Sequence, residues 1–334
     1  MLKITWGLEE EVFIIEEEWR PSLRSLYYLN KLLWKNPAFY YLHTASNFSR
    51  GKDIKFGLMS GVEISTDIQS SPECLISDLK ARRQDLIKVV DEGYLVAIGH
   101  LLDIETPTNT CGLHLHIGVA EKFKEKVYNR LAYYLPLLAL ATSNSPMRGG
   151  VYFGKSFRMK SSYAIGPLVE DPYYRFQDII ISRRLKTIEI RVFDPFTQLD
   201  RLAALLSIIE KLIHIDNPKK TNPGTYALLR ERMVRFGFHN SLIPLYDELI
   251  SEVGYVDKSL FSKTPADETW QAYREGGLAG AYYYLDSIYR NERVKRRRKG
   301  ESKKELLVLH SLLGFTSYYL PRLPYSIYKV LKES

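Results

Sequence analysis

Four segments of this chain alternate apolar and polar residues with a period of two, and that pattern commits each to a strand with one face buried and one face open. In residues 4–14, Ile4, Trp6, Leu8, Val12 and Ile14 fall on one side, and Thr5, Gly7, Glu9 and Glu11 on the other. In residues 61–66, Val62 and Ile64 oppose Glu63 and Ser65. In residues 111–119, Cys111, Leu113, Leu115, Ile117 and Val119 alternate with Gly112, His114, His116 and Gly118. In residues 187–194, Ile188, Ile190 and Val192 alternate with Glu189 and Arg191. An antiparallel sheet keeps one face on a core and leaves the other to ligands or water.

If these strands pair, Glu9, Glu11, Glu63, Glu189, His114, His116 and Arg191 gather over one surface. Carboxylates packed together demand cations, because mutual repulsion otherwise protonates some of them or forces them apart. Magnesium takes oxygen ligands and usually shares its site with substrate phosphates. Manganese accepts imidazole as readily. An arginine among the acids fits a phosphoryl group better than a bare metal site. The chemistry expected is metal-assisted phosphoryl transfer. Glu10 points to the apolar side of its strand and is expected to be structural.

Between these strands the chain reads as follows. Residues 23–34 form a helix stopped by Asn36-Pro37, and residues 37–57 are a polar loop without a period. A helix runs from Ser71-Pro72-Glu73 to about residue 92, and Gly93 closes it. Residues 94–98 are a short buried strand. Residues 123–141 form a long helix containing Pro136, followed by the polar turn Thr142-Ser143-Asn144-Ser145-Pro146. Arg158 and Lys160, read without context, are a solvated basic pair on a loop. Helices follow at about 202–213, 224–237, 242–252, 266–290 and 302–313. The division expected is a catalytic sheet-and-helix core over residues 1–215 and a helical portion over 216–334, packed as one unit.

The balance of 47 Lys and Arg against 39 Asp and Glu gives a net charge of +8, and most of the excess sits in the run from Arg293 to Lys299. No helix-turn-helix, zinc-finger or RNA-motif signature accompanies it, so a solvated segment is the expectation and a nucleic-acid surface the alternative. Two cysteines, Cys74 and Cys111, make neither a disulfide framework nor a metal site, and both read as buried small apolar residues. A reducing cytoplasm is the expected location. No apolar run reaches the length of a membrane span.

The motifs Gly7-Leu8-Glu9-Glu10-Glu11, Val62-Glu63-Ile64-Ser65, Cys111-Gly112-Leu113-His114-Leu115-His116-Ile117-Gly118 and Thr187-Ile188-Glu189-Ile190-Arg191-Val192-Phe193-Asp194 occur in this order. Together they resemble the signature strands of the glutamate–cysteine ligase family, in its second, carboxylate–amine ligase branch, over about residues 4–210. The resemblance implies an α+β, glutamine-synthetase-like fold, also seen in guanido kinases: a curved, mainly antiparallel sheet forming a funnel, with helices on its outer face. It implies Glu9, Glu11, Glu63, His114 and Glu189 as metal ligands, with Glu189 and Arg191 catalytic. It implies Arg158 and His116 as residues of the nucleotide pocket. ATP and Mg2+, or Mn2+, would be the cofactors, and glutamate or a related carboxylate the substrate. An amine such as cysteine would be the acceptor, and a homo-oligomer is compatible with all of this. The stretch from Met147 to Gly154, before Ser156-Phe157-Arg158, departs from the branch, which usually carries an aromatic and then Asp-Thr-Gly there, and this leaves the acceptor open. Two other readings remain: a phosphotransferase of guanido-kinase type on the same site, and a basic nucleic-acid-binding protein whose ligase site has lapsed.

Overall fold

The computed structural model describes residues 3–16, 19–21, 24–41, 43–48, 59–106, 110–291 and 304–333. The basic run 293–299 lies outside them, as does most of the second half of the expected loop.

The elements in chain order are β1 (Thr5–Ile15), α1 (Ser25–Lys35), α2 (Pro37–Tyr40), β2 (Thr44–Phe48), β3 (Met59–Ser65), α3 (Pro72–Val89), β4 (Tyr94–Val96), β5 (Leu113–Gly118) and α4 (Glu121–Thr142). Then come β6 (Met147–Arg148), β7 (Val151–Tyr152), α5 (Phe157–Ser161), β8 (Ile179–Ile181), β9 (Ile188–Ile190), α6 (Leu199–His214) and α7 (Pro223–Phe236). The chain continues through α8 (Ile243–Val253), α9 (Ser259–Ser262), α10 (Pro265–Arg290) and α11 (Lys304–Glu333). The fold is α+β. A seven-stranded sheet runs β2-β3-β1-β5-β9-β8, with β4 added to β1, and its strand pairs are antiparallel.

Strand β1 is the hub. Its first half pairs with β5, its middle with β3 and its last three residues with β4. Trp6 and Leu8 lie across from Ile117 and Leu115, and this apolar face packs with residues of α3, α4 and α6 in the largest core cluster. The end of β1 is covered on both sides. Val12 and Ile14 pack with Tyr28, Leu29 and Leu32 of α1, and Phe13 and Ile15 with Ala281, Tyr282 and Leu285 of α10. Two-sided burial explains why alternation gives way there to Val12-Phe13-Ile14-Ile15. Glu10, on the apolar face, is fully buried and takes two hydrogen bonds from Arg83, at 2.5 and 2.9 Å, and one from Tyr289 at 3.1 Å. A charge buried this deeply persists because its partner is equally buried and saturated.

Local sequence sets the helix ends. Ser71 accepts from the Cys74 amide, Pro72 occupies the first turn, and Gly93 follows the helix with φ +85°. Asn222 caps α7, and Thr264 with Asp267 forms a reciprocal capping box at the start of α10.

Four sequence expectations are corrected. Pro37–Tyr40 and Thr44–Phe48 are not loop: they form α2 and β2, and β2 pairs with β3 along the sheet edge. The last helix does not stop near residue 313 but continues to Glu333 through Pro321 and Pro324. Arg322, inside that stretch, donates to the Thr44 carbonyl at 3.0 Å, and the Tyr41 hydroxyl donates to the Pro321 carbonyl at 3.1 Å. These tertiary bonds hold a stretch whose prolines remove helical ones. Cys74 is exposed, whereas Cys111 is buried as expected. Arg158 is buried rather than solvated, while Lys160 is exposed and pairs with Glu231.

Candidate active site

The register of the sheet decides which polar side chains share a face, because directly opposed residues point the same way. Glu11 opposes Glu63 and Glu9 opposes Ser65 across β1 and β3. Glu9 opposes His114 and Gly7 opposes His116 across β1 and β5. His116 opposes Glu189 across β5 and β9. Thus Glu9, Glu11, Glu63, His114, His116 and Glu189 lie on one face of four adjacent strands, opposite the core. Gly7 leaves room over the middle of that face, with its nearest side-chain neighbour at His116.

Five of these six groups already have a partner. Glu9 Oε2 lies 3.5 Å from both His114 Nδ1 and His116 Nε2. Burial favours the neutral carboxyl, yet hydrogen bonding and charge from the two imidazoles hold Glu9 far below the usual carboxylate range. Burial likewise disfavours the His116 cation, and Glu9, then Glu189, outweigh it and raise the imidazole. His116 Nδ1 lies 3.2 Å from Thr187 Oγ1, which orients the ring. Glu11 Oε2 accepts from the Gly112 amide at 2.6 Å. Glu189 Oε1 accepts from Arg191 at 2.6 Å. Glu63 is pushed well up, first by burial and then by the charges of Glu9 and Glu11.

Among the described residues, no three histidine, cysteine, aspartate or glutamate side chains are already gathered closely enough to hold a metal ion. Glu11 is engaged by a backbone amide and Glu189 by Arg191. The donor types nevertheless suit a hard divalent cation, which prefers carboxylate oxygen and tolerates imidazole. Glu63 is raised first by burial and then by the neighbouring charges of Glu9 and Glu11, both of which a bound cation would relieve. Turning Glu11 and Glu189 from their present partners would free two more carboxylates over the same face.

Arg158 stands beside this face, next to His114. Its guanidinium donates to the Val192 carbonyl at 2.9 Å, to Phe193 at 3.2 Å and to Arg191 at 3.1 Å, and lies 3.5 Å from Asp194 Oδ1. Gly112 is required beside it: a β-carbon there would overlap Arg158 Nη2 and stand 2.7 Å from His114 Nε2. Arg158 therefore grips the chain that leaves β9 and carries Arg191.

Sequence reasoning missed the rest of this brace. Asp194 Oδ2 accepts from the Asn144 amide at 2.8 Å and from Ser145 Oγ at 2.9 Å. Burial raises the Asp194 carboxyl, opposed by Arg158 and these donors. Beyond it, Asp178 is held by Arg230 and by the Tyr226 hydroxyl at 2.5 Å, and its own carbonyl accepts from the Arg191 amide at 2.8 Å. The available signal was a polar Ser-Asn-Ser run closing an apolar helix, and an Asp ending an apolar strand.

No family model matches the chain. A Rhodospirillum rubrum protein described as a glutamate–cysteine ligase 2 is 28% identical over 167 residues, which span 40% of this chain and 43% of that protein. The match takes in less than half of that relative's length. Among solved structures, the glutamate–cysteine ligase of Francisella tularensis, in complex with AMP, superposes with a TM-score of 0.59 at 10% identity, covering 96% of this chain and 94% of that one. A bifunctional glutathione synthetase from Pasteurella multocida gives 0.55 at 11% identity, over 86% of this chain and 51% of that one. At such identities these two establish a common fold. No helix among the described residues is long and apolar enough to cross a membrane.

Proposed function

We propose that this chain is an ATP-dependent carboxylate–amine ligase of glutamate–cysteine ligase type. The observation that carries the reading is the cross-strand register, which sets four carboxylates and two imidazoles on one sheet face with Arg191 beside them. The fold shared with a glutamate–cysteine ligase solved with AMP supports a nucleotide as co-substrate. In this reading the sheet face is the wall of a funnel open to ATP and the carboxylate.

The reaction answers a specific difficulty. A carboxylate resists attack by an amine because its charge repels the nucleophile and oxide is a poor leaving group. Attack of the glutamate side-chain carboxylate on the γ-phosphorus of ATP releases ADP and leaves an acyl phosphate. The amine then attacks the acyl carbon, phosphate departs with its oxygen, and the amine proton passes to solvent or a base. Glu9, Glu11, Glu63, His114 and Glu189 would hold the Mg2+ or Mn2+ ions, which would supply charge neutralisation to the phosphate oxygens. Arg191 would add fixed positive charge where negative charge develops. Arg158 would keep that arginine in place through its hold on the backbone at residues 191–193, and His116, oriented by Thr187, would line the pocket. Cys111 takes no part: burial pushes its thiol well up and away from thiolate chemistry.

The test is ADP release from ATP with glutamate and a panel of amino acids and amines. The reading expects release that requires both a carboxylate and an amine and yields an amide. ADP release or phosphoryl transfer without amide would instead identify a phosphotransferase.

A further inference from the structure

We propose that helix α7 positions Arg191, and that Tyr226 and Arg230 are the positioning residues, acting through Asp178. The inference rests on the ligase reading, in which the Arg191 guanidinium meets the transferred phosphoryl group. None of these three residues belongs to the strand motifs, and α7 lies beyond the residues 4–210 that carry the family resemblance.

A side chain is aimed no better than its backbone is fixed. Strand β9 ends at Ile190, and the next residue is held by groups from outside the sheet. The amides of Arg191 and Val192 donate to the Asp178 carbonyl at 2.8 and 3.1 Å. The Arg191 carbonyl accepts from Arg158 at 3.1 Å. Arg191 is therefore gripped on both of its peptide groups.

Helix α7 supports both grips. Tyr226, Arg230 and Val234 recur every four residues and share the buried face of the helix. The Tyr226 hydroxyl donates to Asp178 Oδ2 at 2.5 Å. Arg230 Nε donates to the same oxygen, and Arg230 Nη2 donates to Oδ1 at 3.0 Å. Tyr226, Arg230 and Asp178 are all buried. Burial, and then the Asp178 charge, push the Tyr226 phenol well up, so it remains a donor. A two-pronged arginine–carboxylate pair fixes orientation as well as distance. Eight residues after Tyr226, the Val234 carbonyl accepts from the amides of Lys155 and Ser156 at 2.7 and 3.3 Å. Ser156 caps α5, the helix that carries Arg158. One face of one helix thus fixes both the acceptor of the Arg191 amide and the donor to its carbonyl. Attaching α7 to the sheet would account for an ion pair alone. It does not call for the carboxylate to belong to the residue whose carbonyl holds Arg191.

The experiment compares Tyr226→Phe with Arg290→Met in the full chain, below both thermal midpoints. Tyr226→Phe removes one hydroxyl and leaves the ring and the Arg230–Asp178 pair. Arg290→Met breaks another buried arginine–aspartate pair, Arg290 with Asp286 at 2.7 Å on α10. The readouts are steady-state ADP release and hydrogen exchange at the Arg191 and Val192 amides, followed by mass spectrometry. Tyr226→Phe should lower kcat about tenfold and leave KM for ATP within about twofold, because displacement by 1 Å costs about 10² and this variant moves Arg191 by less. Exchange at the two amides should quicken by about tenfold. Arg290→Met should lower the thermal midpoint by more and change neither readout. An unchanged kcat or unchanged exchange in Tyr226→Phe would overturn the inference. So would an equal fall of kcat in Arg290→Met, the mark of a general loss of stability. A parent chain that releases no ADP with any pairing of carboxylate and amine would end the ligase reading instead, and the exchange rates would then decide by themselves whether α7 holds Arg191.

Discussion

Glu9 and Glu10 are neighbours in sequence and belong to opposite faces of β1, so the same substitution at each should have opposite consequences. Glu10→Gln removes the charge that Arg83 faces inside the core. Arg83 is itself buried, and its remaining partners are the carbonyls of Phe196 at 2.7 Å and Thr197 at 2.8 Å. Breaking a buried pair from one side costs about 3–5 kcal/mol, because the other charge is left uncompensated. For a chain of 334 residues, an unfolding entropy of about 2.1 cal/mol/K per residue amounts to roughly 0.7 kcal/mol/K, so the thermal midpoint should fall by about 4–7 °C. Glu9→Gln does something different. It removes one of the charges that push Glu63 up, but also the carboxylate that His114 and His116 hold ionised, and these effects oppose each other, so the midpoint in chelator should fall by less than at Glu10. It should also abolish metal-dependent ADP release. The assay is thermal unfolding followed by circular dichroism in chelator, alongside ADP release with magnesium. Equal losses of midpoint at the two positions, or a loss at Glu9 with none at Glu10, would refute the assignment of faces.

Other outcomes follow from the same geometry. Glu189→Gln and Arg191→Ala should each lower turnover by about 10² or more with the fold retained, the size expected for lost transition-state electrostatics; near-normal rates would remove β9 from the chemistry. Arg158→Met should lower turnover through displacement of Arg191, and should also lower the thermal midpoint, because the Asp194 carboxyl loses its buried cationic neighbour. Arg230→Met should destabilise by about 3–5 kcal/mol, since Asp178 would keep its charge with only Tyr226 and lose the guanidinium; urea unfolding measures it. Under native conditions a maleimide should label Cys74 within minutes and leave Cys111 unmodified until unfolding, as mass spectrometry of the labelled peptides would show.

The sheet that carries the candidate site was legible because alternation survives wherever one strand face is buried and the other open. Residues 4–11, 62–65, 113–118 and 188–191 keep that alternation, although Glu11, His114, His116 and Glu189 on the polar side are themselves buried. The helix at 302–313 was read short because Gly314 and the prolines at 321 and 324 are local stop signals, and contacts to α1 and to residues 40–44, distant in sequence, keep the helix going. Strand β8 escaped notice because Ile179, Ile180 and Ile181 are all buried, and a strand covered on both faces has no period to read. Strand β2 carries the sequence Thr-Ala-Ser-Asn-Phe, which has little propensity of its own; pairing with β3 imposes its form. The brace around Arg158, Asp194 and Asp178 was invisible for a related reason. Its partners come from segments tens of residues apart, and a lone arginine or aspartate in sequence looks like any solvated charge.

The account rests on the polar face of β3, β1, β5 and β9 closing around divalent metal beside a nucleotide. Crystals grown with Mn2+ and a non-hydrolysable ATP analogue, with anomalous scattering collected at the manganese edge, measure this directly. The account predicts anomalous peaks about 2.0–2.3 Å from carboxylate oxygens of Glu63, Glu189 and at least one of Glu9 and Glu11, with His114 as a nitrogen ligand. It also predicts that Glu11 has turned from the Gly112 amide and Glu189 from Arg191. Manganese bound elsewhere on the chain, or analogue bound with that sheet face free of metal, would contradict it.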